Sequence, residues 1–151
     1  MLGVRAQPRA RDVARSRAPA ALREVVLTFG LMLGMGALRN NDYRSGVVKP
    51  QEIALREPKW PARTTQVANS FSNQFELPVL FYVLTILEWV TRHAGVLFVW
   101  LAWVFVIFRV LQAYVHVTNN NVRLRGAFYS VAALVLMIMW AIYIVQVLIG
   151  V

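Results

Sequence analysis

From Ala127 to Val151 the chain reads AFYSVAALVLMIMWAIYIVQVLIGV, without one charged residue. The hydrocarbon core of a bilayer takes about 20 consecutive apolar residues as a helix. Inside it every backbone amide and carbonyl must find its partner within the segment or in a closed barrel. A run this long and this apolar therefore has one stable solution, a transmembrane helix. Composition agrees, because 58% of the residues are hydrophobic, too many for an ordinary soluble chain of 151 residues. By length the chain is one domain.

Three further apolar segments precede this one: Val25–Leu38, about Phe75–Val90, and about Gly95–Val117. The connections are a long polar loop from Arg39 to about Gln66, a tight turn at Arg92–Gly95, and a short loop at Thr118–Arg125. Short links between consecutive spans make antiparallel neighbours. The expected fold is an all-α membrane protein, four transmembrane helices in an up-down bundle over residues 25–151. Gly30 and Gly34 form a GxxxG within the first span, a pattern that lets helices approach closely.

Residues 1–24 carry six arginines and only two acids. They read as an organellar targeting peptide, as a signal peptide whose apolar core is LMLGMGA, or as a basic disordered tail. The tail is the favoured reading, since the segment has no periodicity to fold on. The net charge of +9 lies mainly outside the apolar runs, where it meets anionic lipid headgroups rather than nucleic acid. With no cysteine, and with His93 and His116 in different segments, no disulfide, thiolate or metal site is expected. If the tail is left out of the count, the 39–66 and 118–125 loops hold nearly all the loop cations, which puts the 39–66 loop in the cytoplasm.

Polar residues inside the spans point to a site. Asn69, Asn73 and Glu76 fall at i, i+4 and i+7, on one helical face. Arg109, Gln112, Ala113 and His116 make a second stripe on the third span. An arginine at the centre of a membrane helix costs about 2.5–3.5 kcal/mol on insertion scales, so such residues face a bundle interior or a wet cavity. Span two leaves and span three regains the same membrane face, so Glu76 and Arg109 share a depth and can pair. A buried ion pair that only fixes register is the competing explanation. Counted together, Asn73, Glu76, Arg109, His116, Arg123, Arg125 and Tyr129 hold more donors than one carboxylate satisfies, which favours a pocket for an anionic ligand. Pro78 is placed to kink the second span beside this face. Glu88 is expected to snorkel to headgroups beside Trp89, and the tryptophans to act as filler or interface anchors.

The stretch NQFELPVLFY, followed by RVLQAYVHVTNNNVRLRGAFY, resembles the MAPEG family, the membrane-associated proteins in eicosanoid and glutathione metabolism, over about residues 25–150. The chain looks like a small bacterial member. The resemblance implies a homotrimer in the bacterial inner membrane that holds glutathione between subunits near the cytoplasmic face. It implies that Asn73, Glu76, Arg109, His116 and Arg39 contact the tripeptide, and that Arg125 and Tyr129 act on its thiol. Departures accompany it. Ala68 and Asn69 stand where glutathione-using members carry arginine, His116 where many carry tyrosine, and Gly126 where some enzymes carry serine.

Two functions are implied: a glutathione transferase or peroxidase acting on lipophilic substrates, and a non-catalytic member that binds lipid or a partner. An ion or proton pathway through Glu76, Arg109 and His116 ranks last, because no charged layer repeats across the membrane.

Overall fold

Residues 8–53, 59–91 and 95–149 are described in the computed structural model. In chain order the helices are α1 (Pro8–Arg44), α2 (Pro50–Ile53), α3 (Ala62–Ser72), a 3₁₀ turn (Asn73–Phe75), α4 (Leu77–Thr91), α5 (Val96–Val117) and α6 (Val122–Ile149). Four stretches are long and apolar enough to cross a membrane: Pro19–Arg44, Ala62–Thr91, Val96–Val117 and Val122–Ile149. The protein is all-helical with four candidate spans, as its apolar runs predict. The Arg92–Ala94 part of the expected tight turn lies outside the described residues.

The first two spans are longer than their apolar runs. In α1 the helix continues back through Glu24, which is wholly buried, and Ala20, which is 1% exposed. Neighbouring Arg23 lays its guanidinium over the Trp103 ring at 4.3 Å, so that charge is accommodated along the helix rather than ending it. The helix runs on to Arg44, well into the stretch read as loop.

In the second span, α3 and α4 are two helices joined at a break. Pro78 has no amide hydrogen to give the carbonyl of Gln74 one turn earlier, so an unbroken helix cannot pass through. The chain takes a 3₁₀ turn over Asn73–Phe75 and bends at Glu76 (φ −100°, ψ −104°). It restarts at Leu77, with Pro78 in a first turn that needs no donor.

The core sits where α4, α5 and α6 meet. Phe81 and Phe105 stack with ring centroids 4.6 Å apart, and both are fully buried with Leu84, Ala132 and Met139 around them. Helices α5 and α6 form the most extensive pairing, joined by a link in which Asn120 adopts a left-handed φ of 51°. Asparagine tolerates that conformation better than most residues. Asn121 then caps α6, its Oδ1 accepting from the amides of Arg123 and Leu124 at 3.1 Å each.

Two expectations meet a different geometry. Glu88 does not snorkel: it is 1% exposed, while Trp89, about 100° further round the helix, is 69% exposed. At the GxxxG of α1, open space lies beyond both Gly30 and Gly34 among the described residues.

Candidate functional site

The helix break builds the site. Because the span bends at Glu76, the carbonyl of Asn73 turns to the Arg109 guanidinium, whose Nη2 donates to it at 2.7 Å. Nη1 of Arg109 donates to Gln112 Oε1 on the next turn of α5, also at 2.7 Å. Arg109 is wholly buried, and its guanidinium carbon lies 5.8 Å from the centre of the Tyr129 ring. The expected Glu76–Arg109 ion pair does not form: no contact joins the two side chains among the described residues. The arginine is held by a backbone carbonyl that only the break makes available. The Glu76 carboxylate is left for Tyr129, whose hydroxyl donates to Oε2 at 3.0 Å.

Above Arg109 lies an open cleft of about 490 Å³. Asn69, Ser72, Asn73 and Glu76 form one wall, Gln112 and His116 the floor, and Arg125, Gly126, Tyr129 and Ser130 the other wall. The volume falls in the roughly 300–1,000 Å³ range of small-molecule sites. At its rim Arg125 is tied back into the protein, with Nη1 2.6 Å from His116 Nε2 and 3.0 Å from Asn120 Oδ1. Helix α3 braces the same end. Arg63 donates to the carbonyl of Val117 and Gln66 to that of His116, satisfying carbonyls that the end of α5 leaves without helical partners. Thr64 ties α3 to α1 through Asp42.

Of the residues singled out in the sequence, Asn73, Glu76, His116, Arg125 and Tyr129 line this cleft. Arg109 lies beneath it as a buried support. Arg39 is elsewhere in its own chain, its guanidinium 5.0 Å from the centre of the Trp60 ring. Arg123 is exposed and takes no part in the lining.

Sequence reasoning did not single out Ser72, one of two serines in the polar stretch Asn69–Gln74, or Ser130, an isolated serine in an apolar run. It also passed over Glu24, whose oxygens are buried with no hydrogen-bond donor among the described residues. A carboxylate at the edge of an apolar run looks interfacial until α1 is seen packed on α5.

Chemically the cleft offers one cationic fork, one carboxylate, and several neutral donors and acceptors in asparagine, serine, tyrosine and histidine. That set suits a small ligand carrying both carboxylate and ammonium groups. Residues 20–145 match the model of the MAPEG family, which covers most of the chain. No curated protein and no solved structure matches significantly.

Proposed function

The chain belongs to the MAPEG family, and from that premise we propose that it binds glutathione in this cleft and conjugates it to lipophilic electrophiles. The observation that carries the reading is the pairing of Arg125 and Glu76 across one open cleft of about 490 Å³. Glutathione has two carboxylates, an ammonium group and a thiol, and the opposed charges match it. Glu76 takes the ammonium group, Arg125 an anionic group, and Asn73, Ser72 and Ser130 the peptide amides and carbonyls. Arg109 fixes the Asn73 turn from below rather than touching the ligand. Arg39, outside the cleft of its own chain, is assigned to the ligand of a neighbouring subunit in a homotrimer.

When bound, the tripeptide supplies the sulfur nucleophile: its thiol loses a proton to water, the thiolate bonds to an electrophilic carbon, and the leaving group on that carbon departs with its electron pair. The protein's part is to hold that sulfur near Arg125, because a neighbouring positive charge favours the thiolate. Tyr129 orients Glu76 and presents its hydroxyl at the same wall. The electrophile enters from the bilayer, and proximity does most of the remaining work. The 39–66 stretch faces the cytoplasm of a bacterial cell, in line with its lysines and arginines.

One observation favours a second reading, a binding protein without catalysis. Gly126 places no hydroxyl beside Arg125, and Arg125 already spends Nη1 on His116 and Asn120. Calorimetry on the detergent-purified protein separates the two. Glutathione should bind and raise thermal stability at millimolar concentration, and Arg125→Ala and Glu76→Ala should each weaken binding at least tenfold. No binding and no stabilisation would sink the glutathione reading and leave a member that binds lipid or a partner. Binding without thiolate absorbance or conjugation of a model electrophile would leave the second.

A further inference from the structure

His116 is 2% exposed, and its Nε2 lies 2.6 Å from Nη1 of Arg125. A guanidinium keeps its proton throughout the biological pH range and can only donate. The contact therefore requires an unprotonated Nε2, which puts the imidazole proton on Nδ1. The same Nη1 also donates to Asn120 Oδ1 at 3.0 Å. One corner of the Arg125 fork is thus fixed by two acceptors, and the edge formed by Nε and Nη2 remains to meet a ligand. That edge has the geometry for two parallel bonds to a carboxylate.

We infer that His116 is a positioning residue that aims Arg125 into the cleft only while its ring is neutral, so that acid switches the anion site off. This rests on the reading of the cleft as a glutathione site. If His116 takes a second proton, two cations meet at hydrogen-bond distance and the contact breaks. The surroundings offer that cation little compensation. From α6 it faces Arg125 and Tyr129. On the α3 side Gln66 and Arg63 engage backbone carbonyls, and Glu76 is bonded to Tyr129. Nδ1 is buried with no acceptor among the described residues. Arg125 is half-buried and at the rim, so once released it has solvent or headgroups to move towards.

The test has a ligand-free arm and a binding arm. In the His93→Gln protein, ¹⁵N imidazole shifts report His116 alone. At neutral pH they should show a neutral ring with the proton on Nδ1, and a protonated ring or the opposite tautomer would overturn the inference whether or not glutathione binds. In the binding arm, the affinity for glutathione should fall about tenfold or more from pH ~7 to pH ~5, the range in which histidine charges. The ligand's own carboxylates, amine and thiol titrate mainly outside that interval. His116→Gln, which can accept a bond from Arg125 but takes no proton, should flatten the profile relative to its own affinity at neutral pH. Glu76→Gln should lower affinity yet retain the acid step. A flat wild-type profile, or an acid step that survives in His116→Gln, overturns the switch while leaving the glutathione reading intact. Absence of binding at every pH removes that reading, and the tautomer measurement still decides whether His116 holds Arg125.

Discussion

Glu76 and Glu88 lie at opposite ends of α4, one just before its first residue and the other in its last turn, and their surroundings could hardly differ more. Glu76 stands at a helix break, exposed to an open cleft of about 490 Å³ where an arginine, a tyrosine and several amides converge. Glu88 is 1% exposed, beside a void of about 50 Å³ walled by Leu97, Phe98, Leu101, Met139, Ile142 and Gln146. That void has room for a water or two and no more. A carboxylate within a membrane span is expensive in either place. What marks a binding site is polar groups gathered from several helices around shared, accessible space. A buried acid beside a void too small for a ligand is part of the packing.

Arg109 lies under the first region, and its loss should have the largest effect. Arg109→Ala removes the donor to the Asn73 carbonyl and to Gln112 Oε1, leaving both acceptors without that partner. A hydrogen bond from a charged group contributes about 1.5–3 kcal/mol, so a loss of that order or more is expected in thermal unfolding in detergent. Glutathione binding should disappear with it, because the turn at Asn73 is then unsupported. If Arg109→Ala proved as stable as the parent, the cleft would not depend on a buried floor.

The two carboxylates can be compared directly by the same conservative change. Glu76→Gln should weaken glutathione binding about tenfold, the loss of one charge-assisted contact at roughly 1.5 kcal/mol, and leave stability nearly unchanged. Glu88→Gln should do the reverse, altering stability by about 1–3 kcal/mol as a buried polar group is disturbed and leaving affinity within about twofold. Calorimetry and thermal unfolding on both variants fill the four cells of this comparison. A loss of affinity in Glu88→Gln equal to that in Glu76→Gln would mean the two ends are coupled.

The four spans were legible because apolar runs bounded by charges leave little choice in a bilayer. The stripe Arg109, Gln112, Ala113 and His116 was legible for the same reason, and all four side chains are buried. Where the sequence misled, the cause was a non-local partner. Asn69, Asn73 and Glu76 look like one helical face, and Pro78 signalled a bend. That the bend would hand the Asn73 carbonyl to Arg109, and so separate Arg109 from Glu76, depends on the register between α3 and α5. Arg23 looked like the end of an apolar run because Trp103, over whose ring it lies, is on another helix. The run Asn119–Asn121 read as a turn, and it is one, but Asn120 also holds Arg125, which only the left-handed backbone arranges.

The smallest effect bears on how the polar end is tuned. Tyr129→Phe removes the hydroxyl that donates to Glu76 and keeps the ring beside Arg109. A single hydrogen bond of this kind contributes about 0.5–1.5 kcal/mol, and this one is at the edge of an open cleft, where water can replace it. Affinity for glutathione should therefore fall only about two- to fivefold, with thermal stability barely moved. The informative quantity is the coupling. If Tyr129 acts by orienting Glu76, the double variant Glu76→Gln/Tyr129→Phe should lose less affinity than the two single losses combined. Full additivity would show that the tyrosine meets the ligand on its own account. A conjugation rate that falls in Tyr129→Phe while affinity holds would place its hydroxyl at the reacting sulfur instead of at the carboxylate.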